Sequence, residues 1–162
     1  EDLDLSYRAQ MAGWRGLYDS SVEVPAELPV QLLAFKRQQS RWAKGTIQTL
    51  RKLCTRVANH HQWSPITRVA AFAHLTSYLI HPLLLVMLLV TLPMLLWDID
   101  PARPLAYLSF FSLGPPLLYA LAQHHLTPRR WLQRWAWLPL LMLLGTGLSV
   151  NNTVAVYQGF RQ

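Results

Sequence analysis

Acidic residues are missing from the middle of this chain. The eight it has are Glu1, Asp2, Asp4, Asp19, Glu23, Glu27, Asp98 and Asp100, so none falls between Leu28 and Trp97. That same stretch holds Lys36, Arg37, Arg41, Lys44, Arg51, Lys52, Arg56 and Arg68, and the formal net charge is +7. A block of one sign attracts phosphate, whether in nucleic acid, in anionic lipid headgroups or in a nucleotide substrate. Cysteine is nearly absent too: the lone Cys54 excludes an internal disulfide, and no Cys/His cluster has zinc-ligand spacing. There is no initiator Met and no visible signal peptide. The chain opens on "EDLDLSYR" and closes on "GFRQ" inside a patterned segment, which reads as an excerpt from a longer protein.

What is abundant is apolar sequence, and it is unevenly placed. Residues 1–64 are mixed and charged, whereas from Ile66 onward the chain turns strongly apolar. One helix over Val69–Trp97 would measure roughly 44 Å, too long for a bilayer core of about 30 Å. His81-Pro82 predicts the break, because proline disfavours helical geometry before it and removes a hydrogen bond. The expectation is an interfacial helix over 66–80 and membrane segments over 82–97, 104–122 and 135–150, the second kinked at Gly114-Pro115-Pro116. Arg129, Arg130 and Arg134 lie in one connecting loop, and two acids with one Arg lie in the other. Basic loops favour the cytoplasm, so residues 1–64 and 123–134 are expected on that side. Trp63, Trp97, Trp131, Trp135 and Trp137 suit interfacial anchoring, with a glycan path as the alternative.

In the first third, Leu3, Tyr7, Met11 and Trp14 recur on one face of a predicted helix, and Gly13 suits its end. Glu1 and Asp2 sit at its start, either as acidic caps or as a carboxylate ready to act as general base. Asp4 points away from Asp2 and is placed to pair with Arg8 at i+4, which argues against a metal-binding Asp pair. Residues 14–29 suit two short strands or extended pieces, and Pro29 suits the first turn of a helix over 30–56. Within that helix Gln38, Arg41 and Trp42 lie at i, i+3 and i+4, on one face. An amide, a guanidinium and an indole together can hold a diphosphate and a sugar ring side by side. The rival reading is a basic amphipathic helix with its Trp at lipid headgroups.

His60-His61 and His124-His125 are adjacent pairs that diverge on a helix and make poor metal sites. His74 and His81, seven apart in the apolar stretch, suit either a functional role at membrane depth or an interfacial position. Asn151-Asn152-Thr153 reads as a polar helix end.

The order of the pieces carries a resemblance. "EDLDLSYRAQMAGWR", "AELPVQLLAFKRQQSRWAKG" and "GLSVNN", followed and interleaved by apolar segments, resemble the membrane-integrated family 2 glycosyltransferases, nearest to the glucomannan and β-mannan synthase-like branch. The fold that this implies is mainly α here: the C-terminal part of a GT-A type α/β glycosyltransferase domain over 1–64, followed by interfacial and transmembrane helices over 65–162. By the resemblance Asp2 matches the general base and Glu1 its companion. Gln38, Arg41 and Trp42 match the Q-x-x-R-W signature, with Trp42 stacking on the terminal sugar and Gln38 and Arg41 facing the donor pyrophosphate. The resemblance implies a divalent cation, Mg or Mn, with ligands upstream of residue 1, so the excerpt alone is expected to be inactive. It also implies a nucleotide-sugar donor, a polysaccharide acceptor and membrane lipid as partners, no nucleic acid, and a multi-pass protein of the inner membrane with its catalytic part cytoplasmic. Two alternatives stay open: transfer of a single sugar to a lipid or short acceptor, and a non-catalytic membrane-anchoring module.

Overall fold

The computed structural model describes residues 2–19, 21–22, 24–27, 29–98, 110 and 112–161. Among the described residues the regular structure is helical, without strands. Of the expected short strands or extended pieces over 14–29, the described residues form no strand. Two compact units form, one from residues 1–83 with 148–162 and one from 84–147. The last helix, 149–161, belongs to the first of these units.

Helix α1, Asp2–Met11, begins with Asp2 and Asp4 in the turn where the helix dipole favours negative charge. It ends in a Schellman motif: Gly13 N–H donates to the Gln10 carbonyl at 3.0 Å and Trp14 N–H to Ala9 at 3.1 Å. Gly13 takes φ 92°, which only glycine adopts without strain. Trp14 lies beyond the helix and is exposed, so the face continues only through Leu3, Tyr7 and Met11.

Helix α2, Leu32–Ala58, starts two residues later and ends two residues later than 30–56. Pro29 precedes the Gln31 cap and so lies outside its first turn. Helix α3, Pro65–Leu75, has the start its sequence dictates: the Ser64 hydroxyl accepts from Thr67 N–H at 3.1 Å, and Pro65 opens the first turn. Tyr7, Leu53, Val57, Ala71 and Leu75 form the core shared by α1, α2 and α3.

A 3₁₀ turn over Ser77–Leu79 follows, and then helix α4, Ile80–Leu96. The break thus falls before Ile80, not at His81-Pro82. Pro82 sits in the first turn of α4, where a missing N–H costs no intrahelical bond. Ser77–Leu96 spans 20 residues with mean hydropathy 2.4 and none of its apolar window buried. At about 1.5 Å per residue it matches a bilayer core of about 30 Å. It is the one described helix long and apolar enough to cross a membrane by itself.

In the second unit, helix α5 covers Gly114–Leu126, α6 covers Trp131–Trp135 and α7 covers Leu138–Gly147. The expected segment 104–122 falls partly outside the described residues, at 104–109 and 111. Gly114-Pro115-Pro116 opens α5, where the first turn has no N–H partners to lose, and the expected kink against 104–109 lies outside the described residues. Trp135 Nε1–H donates to the Pro116 carbonyl at 3.3 Å, and His124 meets Trp131 edge-on, fastening α6 to α5.

The expected segment 135–150 is divided among α6, α7 and α8, Ser149–Arg161. α8 packs on α2 through Ala155 and Val156 against Ala43 and Ile47. Asn151 Nδ2 donates to the Lys36 carbonyl at 3.0 Å and Arg51 Nη1 donates to that of Gly159 at 3.2 Å. Residue numbers rise together along both helices, so α8 runs parallel to α2.

Candidate active site

The site is built on α1 and α2. Lys52 Nζ on α2 donates to Asp4 Oδ2 at 2.9 Å, while Arg8 Nε lies 3.4 Å from the same oxygen. The expected i+4 partner is present, and the Lys52 partner joins it from 48 residues away. The Lys52 hydrogen bond, aided by the charges of Lys52 and Arg8, holds the Asp4 carboxyl below its ordinary range against some desolvation. At the other end of α1 the Met11 carbonyl, which can only accept, lies 3.0 Å from His60 Nε2. His60 therefore donates from Nε2. Asp4 with Lys52 and Met11 with His60 make α1 run parallel to α2.

A third tie fixes α1 to α3. The Tyr7 hydroxyl donates to the Ala71 carbonyl at 3.3 Å and lies 3.0 Å from His74 Nδ1. One hydroxyl proton satisfies both contacts when His74 carries its proton on Nδ1. Burial pushes the Tyr7 phenol above its ordinary pKa.

Asp2 is exposed at the first position of α1 and has no hydrogen-bond or ion-pair partner among the described residues. Glu1 lies outside the described residues. Gln38 is half-buried, Arg41 exposed, and Trp42 52% exposed on α2. At about 100° per residue these three share one face, and Ala43 and Ile47 under α8 occupy the opposite flank. The amide and guanidinium make no hydrogen bond to a described residue, so their donors are available to a ligand. Lys52 lies ten residues past Trp42, about 15 Å along the axis. Because α1 is parallel, its N-terminus points from Asp4 back toward Trp42. Asp2 makes no hydrogen bond or ion pair to the Gln38–Arg41–Trp42 face, and α1 packs on α2 through Leu50, Leu53 and Val57.

Among the clefts of this unit, two lie beside α1. One of about 520 Å³ is lined by Arg8, Met11, Arg56 and His60, and one of about 280 Å³ by Tyr7, Trp63, Thr67 and His74. Neither includes Asp2 or the α2 face. Among the described residues no group of three or more His, Cys, Asp or Glu could hold a metal ion.

Sequence reasoning missed the seat of α8. Asn152 is 1% exposed; its Nδ2 donates to His81 Nε2 at 3.0 Å and its Oδ1 accepts from Asn151 at 3.2 Å. The Asn pair does lie at a helix end, in the first turn of α8, but Asn152 is buried there and joins His81 on α4, while His74 belongs to Tyr7. A signal was present in Ala155 and Gly159, small residues four apart, which let helices approach closely. A Cβ on Gly159 would come within 2.9 Å of Ile47 Cβ.

The family profile described as Glycosyl transferase family group 2 matches residues 1–99, and the chain belongs to that family. It is similar to a probable glucomannan 4-beta-mannosyltransferase 4 of Oryza sativa subsp. japonica, 40% identical over 37% of this chain and 11% of the relative. It is 31% identical to glucomannan 4-beta-mannosyltransferase 2 of Arabidopsis thaliana over 50% of this chain and 16% of that protein. A probable glucomannan 4-beta-mannosyltransferase 10 of the same plant is 30% identical over 57% and 17%. The matched regions span 10% to 19% of the curated relatives' lengths. No solved structure matches the chain.

Proposed function

We propose that this chain forms the acceptor-side wall of an inverting, processive glycosyltransferase that extends a β-linked polysaccharide from a nucleotide sugar at the cytoplasmic membrane face. The observation that supports it is the Gln38–Arg41–Trp42 face, free of protein partners among the described residues, on the helix to which α1 is tied. In this reading residues 1–64 complete a GT-A domain and 65–162 form a multi-pass membrane region, with α4 as its first span and Lys36, Arg37 and Lys44 toward lipid. The relatives' names make a 4-β-linked mannosyl product the first to test.

The acceptor hydroxyl oxygen bonds to the anomeric carbon of the donor, and the bond from that carbon to the diphosphate oxygen breaks. Its electron pair leaves with the nucleoside diphosphate, the hydroxyl proton passes to Asp2, and the anomeric configuration inverts. Glu1 is the companion of that base. A positioned carboxylate of this kind contributes roughly 10²- to 10⁴-fold. Trp42 stacks on the acceptor's terminal sugar, and Gln38 and Arg41 hold the diphosphate. The divalent cation that the family resemblance implies has no ligand set among the described residues. Within this chain, charge on the leaving group is met by Arg41.

Arg41→Lys in the full-length, membrane-inserted protein separates this reading from a lipid-binding module. Bidentate geometry is lost while charge survives, so polymer synthesis from GDP-mannose or UDP-glucose should fall steeply. Unchanged synthesis would favour a helix that only contacts lipid.

A further inference from the structure

Gly45 is the central residue of α2, with a helix of 27 residues built around it. Glycine in a helix interior costs stability relative to alanine, so it needs a reason. A close neighbour supplies one at Gly159, where a Cβ would meet Ile47 and the Lys44 carbonyl. Gly45 has no such neighbour: a Cβ there meets nothing within 4 Å. Nor does its backbone require glycine, since the positive-φ glycine among the described residues is Gly13.

Its position supplies a different reason. Gly45 is i+7 from Gln38, i+4 from Arg41 and i+3 from Trp42, so it lies in line with all three. Seven residues further along the same stripe is Lys52, bound to Asp4 of the helix that carries Asp2. Between the amide–guanidinium–indole turn and that junction, α2 is bare for one turn, about 5.4 Å.

We propose that Gly45 is a specificity-determining residue, its bare backbone forming the floor on which the acceptor's terminal hexose lies beside the Trp42 indole. The inference rests on the reading that Gln38, Arg41 and Trp42 hold substrate. With no Cβ at 45, a pyranose edge can approach the helix backbone while its apolar face covers the indole. Its reacting hydroxyl is then directed along the stripe toward the start of α1. A methyl at 45 lifts the ring off this floor, and a larger side chain fills the notch.

The test uses Gly45→Ala and Gly45→Leu in the full-length protein in proteoliposomes. GDP-mannose and UDP-glucose serve in turn as donor, β-1,4-mannotetraose as acceptor, and Trp42→Ala as a parallel arm. Gly45→Ala should keep or raise thermal stability and leave donor KM unchanged, while acceptor KM rises about tenfold or more. Gly45→Leu should insert normally and not elongate. Lowered stability in Gly45→Ala would overturn the proposal, by making residue 45 a packing seat for another part of the protein. So would wild-type elongation by Gly45→Leu alongside an impaired Trp42→Ala. If Trp42→Ala also elongates normally, the substrate reading of this face fails and the proposal with it.

Discussion

Lys52 Nζ lies 2.9 Å from Asp4 Oδ2 and joins the helix that begins with Asp2 to the helix that carries Gln38, Arg41 and Trp42. Because Arg8 contacts the same carboxylate at 3.4 Å, removing either cation leaves the other in place. The relationship makes Asp4 a positioning residue for the proposed base, not a second base.

Asp4 has a folded-state pKa below its ordinary 3.8, chiefly through the Lys52 hydrogen bond. A depressed carboxylate contributes stability that is complete above the unfolded value and is lost as pH falls through the folded one. Asp4→Asn should therefore lower Tm near neutrality and converge on the wild type in acid below the folded pKa. Thermal melts as a function of pH check this, and a constant Tm difference down to full protonation would count against it.

Tyr7→Phe removes the hydroxyl that reaches Ala71 and His74. The loss should be about 1 kcal/mol, with a lower Tm and faster amide exchange in α1. The Tyr7 phenol is raised, so its contribution is complete below pH 10.0 and is lost as pH climbs through the folded value. Tyrosinate absorbance should show one fewer late-titrating group in Tyr7→Phe than in the wild type.

Gly159→Ala forces a Cβ to 2.9 Å from Ile47 Cβ and 3.0 Å from the Lys44 carbonyl. Overpacking of this kind costs about 1–3 kcal/mol. Gly159→Ala should thus lower Tm while Gly45→Ala keeps or raises it, and an unchanged or raised Tm in Gly159→Ala would show that the α2–α8 contact is looser than 2.9 Å implies.

Asn152→Leu strands His81 Nε2 and removes the acceptor for Asn151. A buried polar group without its partner costs about 1–3 kcal/mol. Hydrogen exchange should accelerate in α8 and at the start of α4, with α1 unaffected; protection unchanged in α8 would contradict the joint.

Local relationships were legible in the sequence, and distant ones were not. Leu3, Tyr7 and Met11 gave the buried face of α1, Gly13 its end and Asp4–Arg8 its salt bridge, because each depends on spacing within one helix. Gln38, Arg41 and Trp42 share a face for the same reason. Lys52 for Asp4 and His81 for Asn152 lie 48 and 71 residues away, and no period announces such pairs. Pro82 misleads: it suggests a break, yet it occupies the first turn of α4, where lacking an N–H is harmless.

The central claim is that Asp2 takes the acceptor proton, and Asp2→Asn in the full-length, correctly inserted protein tests it most directly. Asn keeps the shape of the exposed side chain at the start of α1 but has no basic oxygen, so donor binding should persist. Polymer synthesis should fall roughly 10²-fold or more. Near-wild-type synthesis by the inserted mutant would contradict the account.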